Sequence, residues 1–114
     1  MGSKLEQADQ FVDVAAAAEV EEGEGTIVFV GTKRLALFRV EEEIFCISNR
    51  CPHAGGFLGM GWQKGCRVRC PRHGWAFDLR TGECMSDPRY DVRRYAVRLE
   101  EGRVLVGVPE DLGR

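Results

Sequence analysis

The chain reads as an all-β fold, an antiparallel sandwich or barrel, and two observations in its 114 residues predict this. Short runs rich in Val, Ile and Phe recur along it, separated by tight polar or Gly-bearing turns. Near the C-terminus, residues 94–99 and 103–108 alternate apolar and polar side chains with period two, as the strands of a half-buried hairpin must. The length suits one domain with a core of its own, spanning 1–114.

Taken in order, residues 1–10 are polar and read as a frayed end. Phe11-Val12-Asp13-Val14-Ala15 alternates and predicts a first strand, and Ala16 to Val20 a short helical turn. An acidic loop, Glu21 to Gly25, leads into the β-rich run Thr26 to Val30. Gly31-Thr32 turns the chain into a strand over Arg34–Val40, and Glu41-Glu42-Glu43 makes a solvated turn before Ile44 to Ile47. Cys66-Arg67-Val68-Arg69-Cys70 alternates, which points Cys66 and Val68 inward and the two arginines outward. Ala76 to Leu79 and Glu83 to Met85 flank a turn at Arg80-Thr81-Gly82.

Two boxes interrupt this pattern. Cys51-Pro52-His53-Ala54-Gly55-Gly56 is followed, after a Gly-rich connection, by Cys70-Pro71-Arg72-His73-Gly74-Trp75. Each supplies one thiolate and one imidazole, and His53 and His73 are the only histidines in the chain. Three readings are open at this point. The boxes are unrelated loops with buried cysteines. Or they form a tetrahedral zinc site, although zinc knuckles of this composition usually group the two Cys apart from the two His. Or they hold a two-iron, two-sulfide cluster in which two His replace two Cys on one iron, the cysteines on the inner iron and the histidines on the outer.

The boxes, with Ala76-Phe77-Asp78-Leu79-Arg80-Thr81-Gly82 after them, resemble the Rieske iron–sulfur proteins, and among these the soluble Rieske-type ferredoxins. The resemblance covers about residues 11 to 108. It implies a Rieske-like antiparallel sandwich or barrel with a two-loop cluster-binding subdomain at about 49–88. It also implies a [2Fe-2S] cluster with Cys51 and Cys70 on one iron and His53 and His73 on the other. In the respiratory branch of the family each box carries a further Cys, joined as a disulfide. The matching positions here are Gly56 and Arg72, which cannot form one. That branch also presents a Ser and a Tyr hydroxyl to the sulfurs, where this chain has Trp75 and Phe77. Without those hydrogen bonds the reduction potential belongs at the lower end of the Rieske range, roughly −150 mV rather than +300 mV. Gly55, Gly56, Gly59 and Gly61 are expected to let backbone pass close to the sulfides, and Pro88 to sit on a loop covering the cluster.

The function implied is that of a one-electron carrier, taking electrons from an NAD(P)H-dependent reductase to a terminal, ring-hydroxylating type of oxygenase. The chain is then not itself the enzyme. A Rieske oxygenase needs a second iron on two further His, and none remain. The resemblance extends also to the small subunit of assimilatory nitrite reductases. A zinc-stabilised interaction module is the alternative of another class.

Composition narrows the setting. Cys46, Cys66 and Cys84 remain, an odd number without paired spacing, which fits buried thiols in a reducing compartment. No apolar run approaches a membrane span and the N-terminus does not read as a signal peptide, so a cytoplasmic location is expected. The net charge of −2 conceals a dipole: residues 1–48 carry −6, residues 49–98 carry +6 and residues 99–114 carry −2. Arg50, Lys64, Arg67, Arg69 and Arg72 lie near the boxes, which suggests steering toward an acidic partner surface. A pI of about 5.7 and the lack of a nucleic-acid motif argue against nucleic acid as that partner.

Overall fold

The computed structural model describes residues 5–53 and 55–110; residues 1–4, Ala54 of the first box and residues 111–114 lie outside the described residues. Nine strands follow in order: β1 (Gln10–Ala16), β2 (Thr26–Val30), β3 (Lys33–Val40), β4 (Glu43–Ser48), β5 (Trp62–Lys64), β6 (Arg67–Arg69), β7 (Ala76–Asp78), β8 (Arg94–Glu100) and β9 (Arg103–Val108). The six long ones form an antiparallel sheet in the order β1-β9-β8-β4-β3-β2, and the three short ones a second sheet, β5-β6-β7. The edge strands β1 and β2 touch, so the larger sheet curls into a nearly closed barrel.

The all-β expectation holds, and most strands fall within a residue or two of their expected bounds. Residues 5–10 are not frayed as the sequence suggested. The Glu6 N–H donates to the Arg94 carbonyl and the Asp9 N–H to the Val108 carbonyl, which ties this end to β8 and β9. Strand β5 was not legible at all. Its three residues, Trp62-Gln63-Lys64, are too few to show a period.

Strand β3 explains how the two parts of the molecule are joined. Its centre, Leu35-Ala36-Leu37-Phe38, is fully buried on both faces, so alternation of side chains is present but not of polarity. Leu35 and Leu37 enter the barrel core with Val28, Val30, Cys46, Val104 and Val106. Ala36 and Phe38 point the other way, into a second core with Ile47, Leu58, Val68, Phe77 and Leu79. Cys51 and Cys70 belong to that second core. The wall of the barrel is therefore also the floor beneath the two boxes.

The chain leaves the wall after β4 and returns at β8. Its points of departure and return are adjacent: the Ser48 N–H donates to the Arg93 carbonyl at 2.9 Å, and Ile47 pairs with Arg94. Everything between these points is the small sheet and the loops that carry the boxes.

Candidate metal centre

Each box folds into a tight loop, and the two loops are bonded identically. In the first, the Cys51 N–H donates to the Gly56 carbonyl (2.8 Å) and the Gly55 N–H to the Cys51 carbonyl (2.9 Å). In the second, the Cys70 N–H donates to the Trp75 carbonyl (2.8 Å) and the Gly74 N–H to the Cys70 carbonyl (2.9 Å). Gly55 and Gly74 take matching left-handed conformations, φ 69° and 72°, which favour a residue without a Cβ. By this bonding Cys51 corresponds to Cys70 and Pro52 to Pro71, whereas His53 corresponds to Arg72 and His73 to Ala54. The histidine occupies a different slot in each copy of one loop. That is why the spacing reads C-x-H in one box and C-x-x-H in the other.

The donor atoms separate by type. Cys51 and Cys70 are fully buried, while His53 and His73 are exposed. The two imidazoles meet edge to face with centroids 5.4 Å apart. A zinc ion needs four donors about one point. A [2Fe-2S] cluster asks for only two protein donors on each iron, sulfur on one and imidazole on the other. Two buried thiols in one core and two exposed imidazoles in contact match that demand.

The loops are held by their surroundings. Buried Asn49 accepts the Gly59 N–H on its side-chain oxygen at 2.8 Å, and its carbonyl accepts the Leu58 N–H at 2.7 Å. The Arg69 guanidinium donates to the Gly74 carbonyl at 2.9 Å. Gly56 packs against Arg72: a Cβ built on it would lie 2.9 Å from the Arg72 side chain and 2.9 Å from the Cys70 sulfur. The two positions that the resemblance marks as lacking a disulfide are thus neighbours here, filled by a glycine and an arginine stem.

Two of the four glycines have close neighbours outside the boxes. A Cβ on Gly59 would lie 2.5 Å from Ile27, and one on Gly61 would overlap the Arg69 carbonyl. Both allow the turn Leu58–Met60 to press onto β2 and β6.

Aromatic contacts around His53 went unrecognised in the sequence. Its ring lies flat on Trp75, with centroids 3.7 Å apart and planes 7° from parallel. Tyr90 closes a third side, edge-on to His53 at 5.6 Å and to Trp75 at 5.5 Å. Pro88 is exposed and begins the 3-10 turn that delivers Tyr90 to the imidazole. That turn is capped by Asp87, which accepts the Arg89 N–H at 3.0 Å and pairs with the Arg89 guanidinium at 2.7 Å. These bonds from Arg89 hold the Asp87 carboxyl down at about 2. The tandem Asp87-Pro88 was the only signal for this turn; nothing local announced Tyr90.

No disulfide joins any described cysteines. Cys46 and Cys84 are buried and Cys66 is half-buried; burial pushes the Cys46 thiol far up and the Cys66 thiol up. The expected basic surroundings divide into two places. Arg50 and Arg72 stand at the loops themselves, while Lys64, Arg67 and Arg69 lie on the outer face of the small sheet.

Comparison with known proteins agrees with this geometry. A family model for the Rieske [2Fe-2S] domain matches residues 10–99. The ferredoxin component of the naphthalene 1,2-dioxygenase system of Pseudomonas aeruginosa is 33% identical over 99 residues, covering 86% of this chain and 95% of that protein. The structure of Sphingomonas yanoikuyae B1 ferredoxin superposes with a TM-score of 0.82 at 31% identity, over 88% of this chain and all of that one (100%). A structure described as a putative NADH-dependent nitrite reductase small subunit from Mycobacterium tuberculosis superposes with a TM-score of 0.78 at 28% identity, over 88% and 96% of the two chains.

Proposed function

The chain belongs to the Rieske [2Fe-2S] family, and from that premise we propose that it is the electron-carrying ferredoxin of a ring-hydroxylating oxygenase system. It acts as one domain, in the cytoplasm, between an NAD(P)H-dependent reductase and a terminal oxygenase. Cys51 and Cys70 hold the inner iron, and His53 and His73 the outer. The observation that carries this reading is the pair of identically bonded loops, each with a buried thiol and an exposed imidazole.

When bound, the cluster supplies a centre that takes up and gives back a single electron. The residues of the chain do the rest. The second core seals the sulfur side from water and leaves the two imidazoles as the path to a partner. Trp75 and Tyr90 fix the orientation of His53. Carboxylates are absent from the described residues of both boxes, so the loop tips repel no acidic partner. Among the described residues no helix is long and apolar enough to cross a membrane.

The test is an iron and sulfide assay beside an EPR spectrum of the dithionite-reduced protein. Two irons, two sulfides and a rhombic signal with average g below that of the free electron support the reading. Colourless, zinc-loaded protein overturns it. The likeness to the M. tuberculosis protein, at 28% identity, supports a second reading as a nitrite reductase small subunit. A stable complex with a large sirohaem-containing subunit would favour that one.

A further inference from the structure

We propose that the outer face of the β5-β6-β7 sheet is a docking surface for a carboxylate-rich redox partner, one that grips the carrier beside the exposed imidazoles. The proposal rests on the electron-carrier reading and adds to it where, and by what chemistry, the partner is held.

The register of the sheet creates this face. Trp62 pairs with Arg69 and Arg69 with Ala76; Lys64 pairs with Arg67 and Arg67 with Asp78. These residues share one side, while the row between them, Gln63-Val68-Phe77, turns toward the core, with Val68 and Phe77 fully buried. The outer side forms a hollow of about 760 Å³ that Arg80 also lines.

Its chemistry is one-sided. Four cations, Lys64, Arg67, Arg69 and Arg80, stand around it with a single carboxylate, Asp78, which is already engaged by the backbone N–H groups of Arg80 and Thr81 at 2.7 and 3.3 Å. Arg80 reaches Glu43 at 3.3 Å. Arg67 stands across from Asp78, but among the described residues neither it nor Lys64 forms an ion pair, so both charges are available to an incoming acid. Trp62 lies at the same face with 63% of its surface exposed, a large apolar ring of the kind that anchors protein interfaces.

The face is also joined to the loops. Strand β6 runs directly into Cys70, and Arg69 bonds the Gly74 carbonyl next to His73. A partner seated on the sheet is therefore in register with the imidazoles. The match to an acidic surface is electrostatic, and its affinity and on-rate fall with salt.

The test uses the cluster-loaded protein with its own reductase and its own oxygenase. Stopped-flow rates of electron transfer are measured across ionic strength for wild type, Lys64→Glu/Arg67→Glu, Trp62→Ala, and a control with the same charge change elsewhere, Lys33→Glu/Arg98→Glu. The reversal on the sheet slows transfer with at least one partner by about tenfold or more at low salt and flattens the salt dependence. Trp62→Ala raises the partner's apparent Kd, and the control stays near wild type. Reduction by dithionite and the EPR spectrum stay unchanged in all of them, so loss of the cluster, which would undo the electron-carrier reading, is told apart from loss of docking. A second measurement avoids substitution. The lysines are Lys4, Lys33 and Lys64, and zero-length carbodiimide coupling to the partner is expected through Lys64. Unchanged rates with both partners, or coupling confined to Lys4 and Lys33, overturn the proposal.

Discussion

The imidazole of His53 lies flat on the indole of Trp75, 3.7 Å between ring centroids and 7° from parallel, while His73 has only an edge contact with His53 among the aromatic contacts of the described residues. One imidazole is clamped and the other stands clear. Orientation of an imidazole sets how it presents its ring nitrogen to a metal, and groups around a ligand tune the site as much as the ligand does.

Trp75→Ala removes that clamp. Aromatic pairs of this kind contribute about 0.5–1.5 kcal/mol beyond burial, so loss of iron to a chelator should quicken a few-fold. The EPR lines should broaden as His53 samples more orientations. Trp75→Phe should fall between. Linewidth and chelation rate equal to wild type would remove Trp75 from this role.

The reduction potential is expected to be low. Trp75 and Phe77 carry no hydroxyl, so neither position offers one to a sulfur. Hydrogen bonds to sulfur stabilise the reduced, more negative state, and without them the potential should approach roughly −150 mV. Protein-film voltammetry giving a midpoint above zero would sink this.

Asn49 is 1% exposed, and its side-chain oxygen accepts the Gly59 N–H. Asn49→Ala leaves that buried donor without its acceptor, at about 1–3 kcal/mol. The midpoint of thermal unfolding should drop by several degrees, with the departure from β4 the first region to lose protection from hydrogen exchange. An unchanged midpoint would mean that water replaces the amide at no cost.

Tyr95 stands opposite Cys46 across β4 and β8 and is 4% exposed. Burial, reinforced by the negative charge of Glu6, pushes its phenol up to about 12. An acid whose folded pKa is raised favours the fold below its ordinary value near 10 and loses that advantage as pH climbs to the folded value. Wild type should therefore shed about 2–3 kcal/mol between roughly pH 10 and 12, a loss that Tyr95→Phe escapes. Parallel stability curves for the two proteins across that range would contradict it.

Cysteine reactivity gives a simple check on the assignments. Cys46 and Cys84 are buried, and Cys51 and Cys70 are assigned to the inner iron; Cys66 is the half-buried thiol, beside Arg80. Iodoacetamide should label the cluster-loaded protein once, at Cys66. It should label further sites only after iron is removed. Modification of Cys51 or Cys70 in intact brown protein would show that they are not ligands.

What was legible in the sequence followed from local rules. The barrel strands were read correctly because alternation and turn chemistry act over a few residues, as in β2 and in the β8–β9 hairpin. The boxes were read because Cys, Pro, His and Gly are uncommon enough to be noticed together. What escaped was set by contacts distant in the chain. Tyr90 reaches His53 from 37 positions later. Gly59 and Gly61 looked like loop glycines beside the boxes, but their partners, Ile27 and Arg69, lie on strands that only the fold brings near. Strand β3 was legible as a strand over Arg34–Val40, but sequence alone does not say that both its faces are roofed. The net charge of the box-bearing segment was legible as well, whereas its division into loop-tip arginines and a basic sheet face depends on the β5–β6–β7 register.

The adjacency of Ser48 and Arg93 has a consequence for how such a molecule changes over time. Residues 49–93 leave and rejoin the barrel at neighbouring points joined by the Ser48–Arg93 hydrogen bond, so β4 and β8 pair with each other without them. Doubling the length of a segment whose ends are already side by side adds only about 0.6 kcal/mol of closure entropy. The redox head is in effect a cassette inserted between two neighbouring strands. A longer, shorter or differently charged cassette can be exchanged on the same barrel, provided that its underside still fits over Ala36, Phe38 and Ile47. New partners can then be acquired by rewriting the head while the barrel beneath stays as it is.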